Sequence, residues 1–241
     1  MIATSAHITV GQFVRQRPSR TRILDNLGID YCCGGKKPLE QALRDKGLDP
    51  ATALQVLQAA EQAVPLGDSG DLSKMNMTQL IDHIEQAHHV YLKQELPRLR
   101  AMTAKVAGVH GDKAANLKEL AQTVAAIADE LFNHLGKEEQ ILFPSLRELE
   151  STGRMTHACF GTVRNPIRMM EHEHDNAAEL LGRIRELAGG YTMPEWGCNT
   201  YRAMLDGLAQ LEADTHQHIH KENNLLFPMA VEAEARVAGS L

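Results

Sequence analysis

The chain has 241 residues, enough for one large or two small domains, and 12 of them are histidines. Hydrophobic residues at 43% and charged residues at 23% are ordinary for a globular protein and exclude a disordered or low-complexity chain. The formal net charge of −6 disfavours broad binding to nucleic acid, which needs a basic surface. Aromatic residues make up only 4%, and the abundant Ala, Leu, Glu and Gln favour an all-α fold.

Neither a membrane segment nor a secretion signal is expected from the sequence. No apolar run reaches the roughly 18 residues that a membrane-spanning helix needs, and residues 1–20 lack a continuous apolar core. Four cysteines, two of them adjacent, do not form a secreted disulfide framework. We therefore expect a cytoplasmic protein that binds neither membranes nor nucleic acids.

Residues 1–64 predict a small helical domain. Gly28 is expected to end the second of its helices, because glycine takes a left-handed conformation at little cost. Asp49 is expected to cap the last helix, with Pro50 at its first position. The short helices are predicted over 8–16, 19–27, 37–46 and 50–63. Residues 65–74, PLGDSGDLSK, are rich in Gly, Asp, Ser and Pro and predict a linker.

Residues 75–241 predict long amphipathic helices. In the first of them, apolar side chains recur every three or four residues, for example at Met77, Leu80, Ile81 and Ile84. The predicted helices run from about 75 to a turn at 109–112, and then over 113–150, 166–188 and 197–235. Four long helices with short connections indicate an up-and-down four-helix bundle.

An internal repeat supports this bundle. HLGKEEQILFP at 134–144 and HIHKENNLLFP at 218–228 share the pattern H-x-x-x-E-[EN]-[QN]-x-L-F-P. The two copies lie about one two-helix hairpin apart, so we expect a duplicated hairpin with corresponding sites on the second and fourth helices.

The repeat contains two His–Glu pairs with metal-ligand spacing. His134 with Glu138, and His218 with Glu222, lie four residues apart, so each pair faces the same side of its helix. The other two helices each offer adjacent or nearby histidines, namely His88 or His89 on the first and His172 or His174 on the third. Inward-facing His and Glu side chains are how two-metal sites are built in bundle cores.

The ligand types narrow the metal. No cysteine lies near these positions, which disfavours a thiolate zinc site or an iron–sulfur cluster. Imidazole with carboxylate suits iron or manganese, with zinc as an alternative. Two bridging glutamates, four histidines and an oxo or hydroxo bridge would leave each metal able to bind a small molecule such as O₂ or NO.

The competing interpretation is that each pair lies on a solvated helix face. A single H-x-x-x-E is usually such a surface pair, whereas two near-identical copies with histidines on both other helices favour the metal site. His216 and His220 flank His218 and are expected to be solvated. The remaining patternless residues are expected to have structural, packing or surface roles: His7, His83, His157, Cys159 and Cys198.

Residues 75–235 resemble a hemerythrin-like bundle, and nearly the whole chain resembles the RIC (repair of iron centres) family. The resemblance is carried by these motifs together: IDYCCGGKKPLEQA (29–42), DHI (82–84), Leu-Pro (96–97), VHGDK (109–113), HLGKEEQILFP, EHEHD (171–175) and HIHKENNLLFP. Members of that family are di-iron proteins that restore iron–sulfur clusters damaged by oxidative or nitrosative stress. The resemblance implies two non-haem iron ions, oxo- or hydroxo-bridged.

The resemblance also implies a ligand set, carried over position by position: His89, His134, Glu138, His174, His218 and Glu222. Glu138 and Glu222 would be the bridging carboxylates. On a helical wheel His88 lies nearer the apolar stripe, but the spacing to Asp82 and Pro97 matches the family's ligand to His89. Glu130 and Glu173 match acidic residues near the family's site, which implies that they support the metal ligands from outside or lie on a proton path. The alternative is that both are ordinary carboxylates on the helix surface.

The adjacent thiols Cys32 and Cys33 are expected to be a reactive centre. They lie beside Gly34-Gly35 and Lys36-Lys37, and a tight turn with two lysines would favour the thiolate and lower its pKa. A vicinal pair bonds to itself only with strain, so separate action is expected, through mixed disulfides, metal or persulfide binding, or an intersubunit bridge. The alternative is a pair of buried structural cysteines.

The sequence therefore predicts a di-iron protein of iron–sulfur cluster repair. Its partners would be damaged iron–sulfur proteins and the small molecules NO or O₂, and homodimers are an open alternative. Iron donation and NO reduction are both compatible with the residues, so enzymatic turnover is left open. The rival from another class is a hemerythrin-like module that binds or senses O₂ or NO without turnover.

Overall fold

The computed structural model describes residues 8–17, 20–54, 72–155 and 160–238. Several predictions fall outside these ranges, namely the roles of His7, His157 and Cys159, the second half of the helix predicted at 50–63, and most of the linker. Within the described ranges the secondary structure is helical, which confirms the predicted all-α fold.

The N-terminal module, described over 8–17 and 20–54, contains the short helices α1 (Val10–Gln16), α2 (Thr21–Asn26) and α3 (Leu39–Asp45) and the beginning of a further helix at residue 50. Thr9 caps α1 by accepting the Gln12 N–H, and the Gln12 side chain caps in return. Gly28 follows α2 with φ of 62°, as predicted. The Asp49 carboxylate accepts the Thr52 N–H at 2.9 Å, which confirms it as the cap of the next helix, described over 50–54.

Four long helices form the bundle within the described residues. Their bounds are α4 (Met77–Ile84, a π-helical turn Glu85–His89, and Val90–His110), α5 (Asn116–Lys137, a π-helical turn Glu138–Leu142, and Phe143–Thr152), α6 (Arg164–Leu187) and α7 (Asn199–Lys221, a π-helical turn Glu222–Leu226, and Phe227–Ala238). Each packs against its two neighbours in the ring α4–α5–α6–α7. Helix α4 continues through His110, so the turn predicted at 109–112 begins at Gly111.

The bundle has two apolar cores separated by a polar layer. One core lies towards the α4–α5 connection and includes Leu92, Leu96, Leu131, Leu181 and Leu208. The other lies towards the start of α4 and includes Leu80, Ile84, Phe143, Met170 and Phe227. On every helix the predicted His and Glu ligands lie where the sequence passes from the residues of one core to those of the other. The polar layer is therefore enclosed by apolar side chains above and below.

Three of the bundle helices change from α to π winding at this polar layer. The N–H groups of Val90, Phe143 and Phe227 bond to carbonyls five residues back, at Glu85, Glu138 and Glu222. Such a turn inserts one residue into the helix and rotates the side chains that follow. In α5 and α7 a proline comes next, Pro144 and Pro228, and its missing N–H leaves the carbonyl four residues back without an α-helical donor.

The N-terminal module packs on the outer face of α7. Ile219 belongs to the same apolar cluster as Val10, Phe13, Tyr31 and Leu43 of the module. All five residues are less than 5% exposed, so the module shares a core with the bundle. Burial of this apolar surface holds the two parts of the chain together.

Cys198 is exposed at the start of α7, so its predicted packing role is wrong. Its Sγ lies 3.3 Å from Nε2 of the buried His110, and the His110 ring packs against Trp196 and Tyr201. The bond to His110, helped by backbone N–H groups of the first turn of α7, lowers the pKa of the Cys198 thiol to about 7.

We expect His110→Phe to slow alkylation of Cys198, because the phenyl ring keeps the packing but cannot stabilise the thiolate. In the wild type the alkylation rate should rise with pH and reach half its maximum near 7. In the variant this midpoint should move towards about 8.5, which would lower the thiolate fraction at pH 7 from about one half to about 3% and the rate at pH 7 by up to about fifteenfold. Iodoacetamide labelling read by peptide mass spectrometry measures both profiles, and an unchanged midpoint would contradict the role of His110.

Candidate metal centre

Six side chains from all four bundle helices meet in the polar layer. They are His89 of α4, His134 and Glu138 of α5, His174 of α6, and His218 and Glu222 of α7. Each is at most 3% exposed, and both glutamates are fully buried. These are the six residues that the sequence analysis named, and the structure brings all of them together.

The six residues form two overlapping sets that share the glutamates. His89 and His218 approach with their Nε2 atoms 3.2 Å apart, and His134 and His174 with theirs 3.0 Å apart. Ligand atoms of either histidine pair, together with one oxygen from each glutamate, lie within 4.8 Å of one another.

Each glutamate turns one oxygen to each histidine pair. Glu222 places Oε1 2.9 Å from His218 Nε2 and Oε2 3.0 Å from His174 Nε2. Glu138 places Oε2 3.4 Å from His89 Nε2 and Oε1 3.4 Å from His134 Nε2. This is the arrangement that two carboxylates need in order to bridge two cations.

The carboxylates are ionised and short of donors. Burial alone would raise the pKa of Glu222, but His218 and His174 hold it well below its usual range. Burial and the neighbouring Glu222 likewise oppose ionisation of Glu138, yet the facing histidines, led by His134, lower its pKa. Both oxygens of Glu138 and Oε2 of Glu222 are buried without a hydrogen-bond partner. Buried acceptors of this kind fit cations, because a bound cation would supply the missing charge and contacts.

His88 and His89 are both buried but face different partners. His89 points Nε2 into the centre, as the family spacing implied. His88 instead donates from Nδ1 to Asp214 at 2.9 Å and accepts from the Lys221 ammonium at Nε2, 2.6 Å away. Burial, with help from Lys221, lowers the pKa of His88 to about 3, so this ring is neutral. The π-helical turn Glu85–His89 inserts one residue at this point of α4 and rotates the side chains that follow, and both consecutive histidines of this turn are buried.

The outer nitrogens of three of the histidines have their own partners. His89 Nδ1 lies 2.8 Å from Glu139, His134 Nδ1 lies 2.9 Å from Glu173, and His174 Nδ1 lies 2.9 Å from the side-chain oxygen Oδ1 of Asn223. Such partners fix the ring orientation and leave Nε2 directed inward. The sequence analysis named Glu173 for this position. Glu130, its other candidate, is exposed, and so is His172.

Glu139 and Asn223 were missed by the sequence analysis, although the repeat carried their signal. Each directly follows a central glutamate, and each orients a histidine from a neighbouring helix. The Phe of the repeat has a matching role, because Phe143 stacks on His89 and Phe227 stacks on His174. Each copy of the repeat therefore contains the central carboxylate, a residue that orients a histidine ring and a phenylalanine that packs on the same ring. That histidine lies on the other helix of the same hairpin.

Cys32 does not lie in a positive field, so the expected lowering of its pKa is wrong. Its side chain is only 4% exposed, and its Sγ lies 3.2 Å from Asp30 Oδ1. The neighbouring Cys33 thiol, burial and the Asp30 carboxylate together raise the pKa of Cys32. The two lysines are engaged elsewhere, since Lys36 pairs with Glu171 of α6 and Lys37 with Asp45. Cys33 is half-buried, with its Sγ 4.0 Å from that of Cys32.

His220 is buried, so its predicted solvated position is wrong. It lies under the N-terminal module, with Nδ1 3.2 Å from the Tyr31 carbonyl and its ring edge-on to the Tyr31 ring. His216 is half-buried beside the same tyrosine and 3.5 Å from Asp25. A helical wheel shows that these residues face away from the metal centre, but it does not show that another part of the chain covers them.

Two family models match successive parts of the chain. The hemerythrin HHE cation binding domain matches residues 80–230, and a domain of unknown function, DUF542, matches residues 6–61. Curated proteins named "Iron-sulfur cluster repair protein YtfE" match nearly end to end. The protein from Enterobacter sp. (strain 638) is 37% identical over 93% of this chain and 97% of its own length. That from Yersinia pseudotuberculosis (serotype O:1b, strain IP 31758) is 38% identical over 90% and 93%. No helix in the described part of the chain is both long and apolar enough to cross a bilayer.

Proposed function

The chain belongs to the family of hemerythrin-domain iron–sulfur cluster repair proteins, and from this premise we propose that it repairs such clusters with two iron ions held in the bundle. The observation that carries the proposal is the geometry of Glu138 and Glu222. Each is fully buried and presents its two oxygens to two different histidine pairs. This arrangement suits two cations that share both carboxylates, rather than a single cation.

In this proposal His89 and His218 hold one iron, and His134 and His174 hold the other. Four imidazole nitrogens and four carboxylate oxygens give each iron four protein ligand atoms. When bound, a di-iron pair in such a setting supplies two electrons and open positions for a small molecule such as NO or O₂. Imidazole with carboxylate is the ligand chemistry that non-haem iron accepts.

The surrounding residues orient the proposed ligands and shield them from water. Glu139, Glu173 and Asn223 hold three of the rings with Nε2 inward. Lys93 pairs with Glu139 at 2.7 Å and Lys137 pairs with Glu173, so the orienting carboxylates stay ionised. Phe143 and Phe227 cover two of the rings and exclude water from the apolar side. Together these contacts pre-form the site before iron enters.

Two routes to repair belong to the proposal. The centre can donate iron to a damaged cluster, in which case the donated ion is the cargo, or it can remove NO by reducing it, since two NO molecules need two electrons to form N₂O. Damaged iron–sulfur proteins are the proposed partners of the first route. Cys32 and Cys33 are the proposed thiol centre for the transfer, and the cytoplasm is the proposed compartment. Whether the chain acts as a homodimer is part of the same hypothesis.

A single anaerobic experiment tests repair and separates the routes. The protein is loaded with ⁵⁷Fe and kept reduced by an excess of a chemical reductant. One sample receives sulfide and an acceptor protein whose [4Fe–4S] cluster has been damaged by NO. A parallel sample receives NO, and the added reductant supplies the two electrons and the solvent the two protons that two NO molecules need to form N₂O and water. Appearance of ⁵⁷Fe in the rebuilt acceptor cluster supports donation, and N₂O release over many turnovers supports NO reduction. Stable binding of NO with neither product would contradict repair and favour the binding or sensing module.

We expect Glu138→Gln to lower bound iron from two per chain to about one or none, because a neutral amide cannot bridge two cations. Glu139→Gln is the matched control, since it changes the adjacent residue in the same way but leaves both bridges. It should keep two irons, with affinity reduced about tenfold to a hundredfold. Metal analysis after anaerobic loading measures both variants. Two tightly held irons in Glu138→Gln would contradict the bridging assignment.

The variants His89→Ala and His88→Ala test which of the two adjacent histidines is an iron ligand. His89→Ala removes an Nε2 that lies 3.4 Å from Glu138 Oε2, so loss of iron and a changed absorption spectrum are expected. His88→Ala removes a ring that bonds to Asp214 and Lys221, so two irons and a wild-type spectrum should remain. The opposite pattern would assign the ligand to His88.

A further inference from the structure

Asn224 connects the bundle to the loop that carries the cysteines. Its side-chain amide Nδ2 donates to the carbonyls of Cys32, at 3.1 Å, and Tyr31, at 3.3 Å. Beside it, Nδ1 of His220 lies 3.2 Å from the same Tyr31 carbonyl and 3.2 Å from Asn224 Nδ2. The backbone of the cysteine loop is therefore held by a residue of α7, two positions after Glu222.

The module is shaped to receive the Asn224 side chain. A methyl group on Gly35, in the cysteine loop, would overlap Asn224, and the three atoms that it would meet first all belong to Asn224. A methyl group on Gly11 of α1 would also overlap Asn224 and would press on the Gly35 carbonyl. Asn224 thus fills a space that exists because both positions are glycine. Neither glycine has a positive φ, so close approach is what requires them.

The same π-helical turn holds the metal centre. Glu222 places its oxygens near His218 and His174, and Asn223 orients His174. Three consecutive residues therefore contact, in order, the proposed irons, a histidine ligand and the cysteine loop. A rigid turn of five residues leaves little room to move one of these side chains without the others.

The other copy of the repeat shows that this link is a special feature of α7. Gln140 occupies the position of Asn224, two residues after Glu138, and its side chain is exposed. The ligand-bearing turn of α5 thus has the same winding and an equivalent polar residue, but that residue does not lie beneath the module. Holding the metal therefore does not by itself require that the amide at this position contact another part of the chain.

We propose that Asn224 is a positioning residue that couples iron loading of the centre to docking of the Cys32–Cys33 loop. The inference rests on the proposed function, since it takes Glu222 to be an iron ligand. Iron bound to Glu222 fixes the turn and presents Asn224 to the loop carbonyls, which keeps the Cys32 thiol covered. Removal of iron frees Glu222, weakens the docking and exposes the thiol. Such coupling works equally in both directions, so undocking also weakens the hold on iron.

Thiol protection measures the coupling directly. Wild type, Asn224→Ala and the matched control Gln140→Ala are each prepared with and without iron and pulse-labelled with an isotope-coded alkylating reagent. Fragment-ion mass spectrometry separates Cys32 from Cys33, and Cys198, exposed at the start of α7, is the internal reference for reagent and pH. Circular dichroism and thermal unfolding establish that each variant is folded.

In the wild type and in Gln140→Ala, removal of iron should raise the relative labelling rate of Cys32 by at least about fivefold, the lower range of measured couplings between sites. In iron-loaded Asn224→Ala the rate should already be raised about tenfold, as expected when one or two ordinary hydrogen bonds are lost. The rate in this variant should no longer depend on iron. Its absorption spectrum with iron should also shift, because the turn that holds Glu222 is less constrained.

The outcomes keep the two proposals apart. If metal analysis finds no iron in the wild type, the proposed function fails. If two irons bind but Cys32 labelling in the wild type is independent of iron, the coupling fails and the proposed function stands. A variant Asn224→Ala that keeps the wild-type dependence on iron would also overturn the coupling, since a merely structural residue would raise both rates and leave their ratio unchanged.

A second pair of variants tests the fit between Gly35 and Asn224. Gly35→Ala should expose Cys32 in the loaded protein, because the methyl group displaces Asn224. Adding Asn224→Ala removes the atoms that it meets, so the double variant should label no faster than Asn224→Ala alone. Gly108→Ala, where the added methyl group meets open space, is the control for a glycine-to-alanine change. Additive effects of the two substitutions would contradict a direct fit.

Discussion

The structure is organised around two ionised carboxylates that are fully removed from water. Glu138 and Glu222 have no exposed surface, and three of their four oxygens lack a hydrogen-bond donor. Burial of such charges is costly unless cations or donors compensate, so the four inward histidines and the proposed irons are what make this layer stable. The apolar clusters on either side then serve two purposes, since they hold the helices together and exclude the water that would otherwise solvate the carboxylates.

Helix winding is the device that fits so many polar groups into one layer. Each π-helical turn adds a residue, so that a ligand and its neighbour in sequence can both be used inside the protein. In α5 the neighbour of Glu138 is Glu139, which orients His89, and in α7 the neighbour of Glu222 is Asn223, which orients His174. The two copies differ one residue further on. Gln140 is exposed, whereas Asn224 is enclosed by the N-terminal module, so the duplicated hairpin has one copy that also holds the thiol loop.

In the cysteine loop, the charges of neighbouring residues in the sequence indicated the wrong direction for the pKa of Cys32. Lys36 and Lys37 follow the cysteines, but their long side chains reach Glu171 and Asp45 instead. Asp30, which precedes the pair, accepts the N–H groups of Cys32, Cys33 and Gly34 and so lies against the Cys32 thiol. Burial and a near carboxylate both favour the protonated thiol. A thiol kept in this state is a weak nucleophile, because the thiolate is the reactive form.

The sequence by itself determined the bundle, its duplication and the two His–Glu pairs of the repeat, whereas the resemblance implied His89 and His174. Amphipathic periodicity, i,i+4 spacing and a repeated motif are local properties, and local geometry follows from them. Family resemblance chose His89 over His88, a choice that an α-helical wheel opposed because the π-helical turn is not visible in periodicity. Only the tertiary structure decided which residues meet across helices, such as Glu139 with His89 or Phe227 with His174. It alone also showed that His220 and Asn224 lie beneath the N-terminal module. Those contacts join residues far apart in the chain, and they depend on how separately formed elements pack, which no spacing along the chain records.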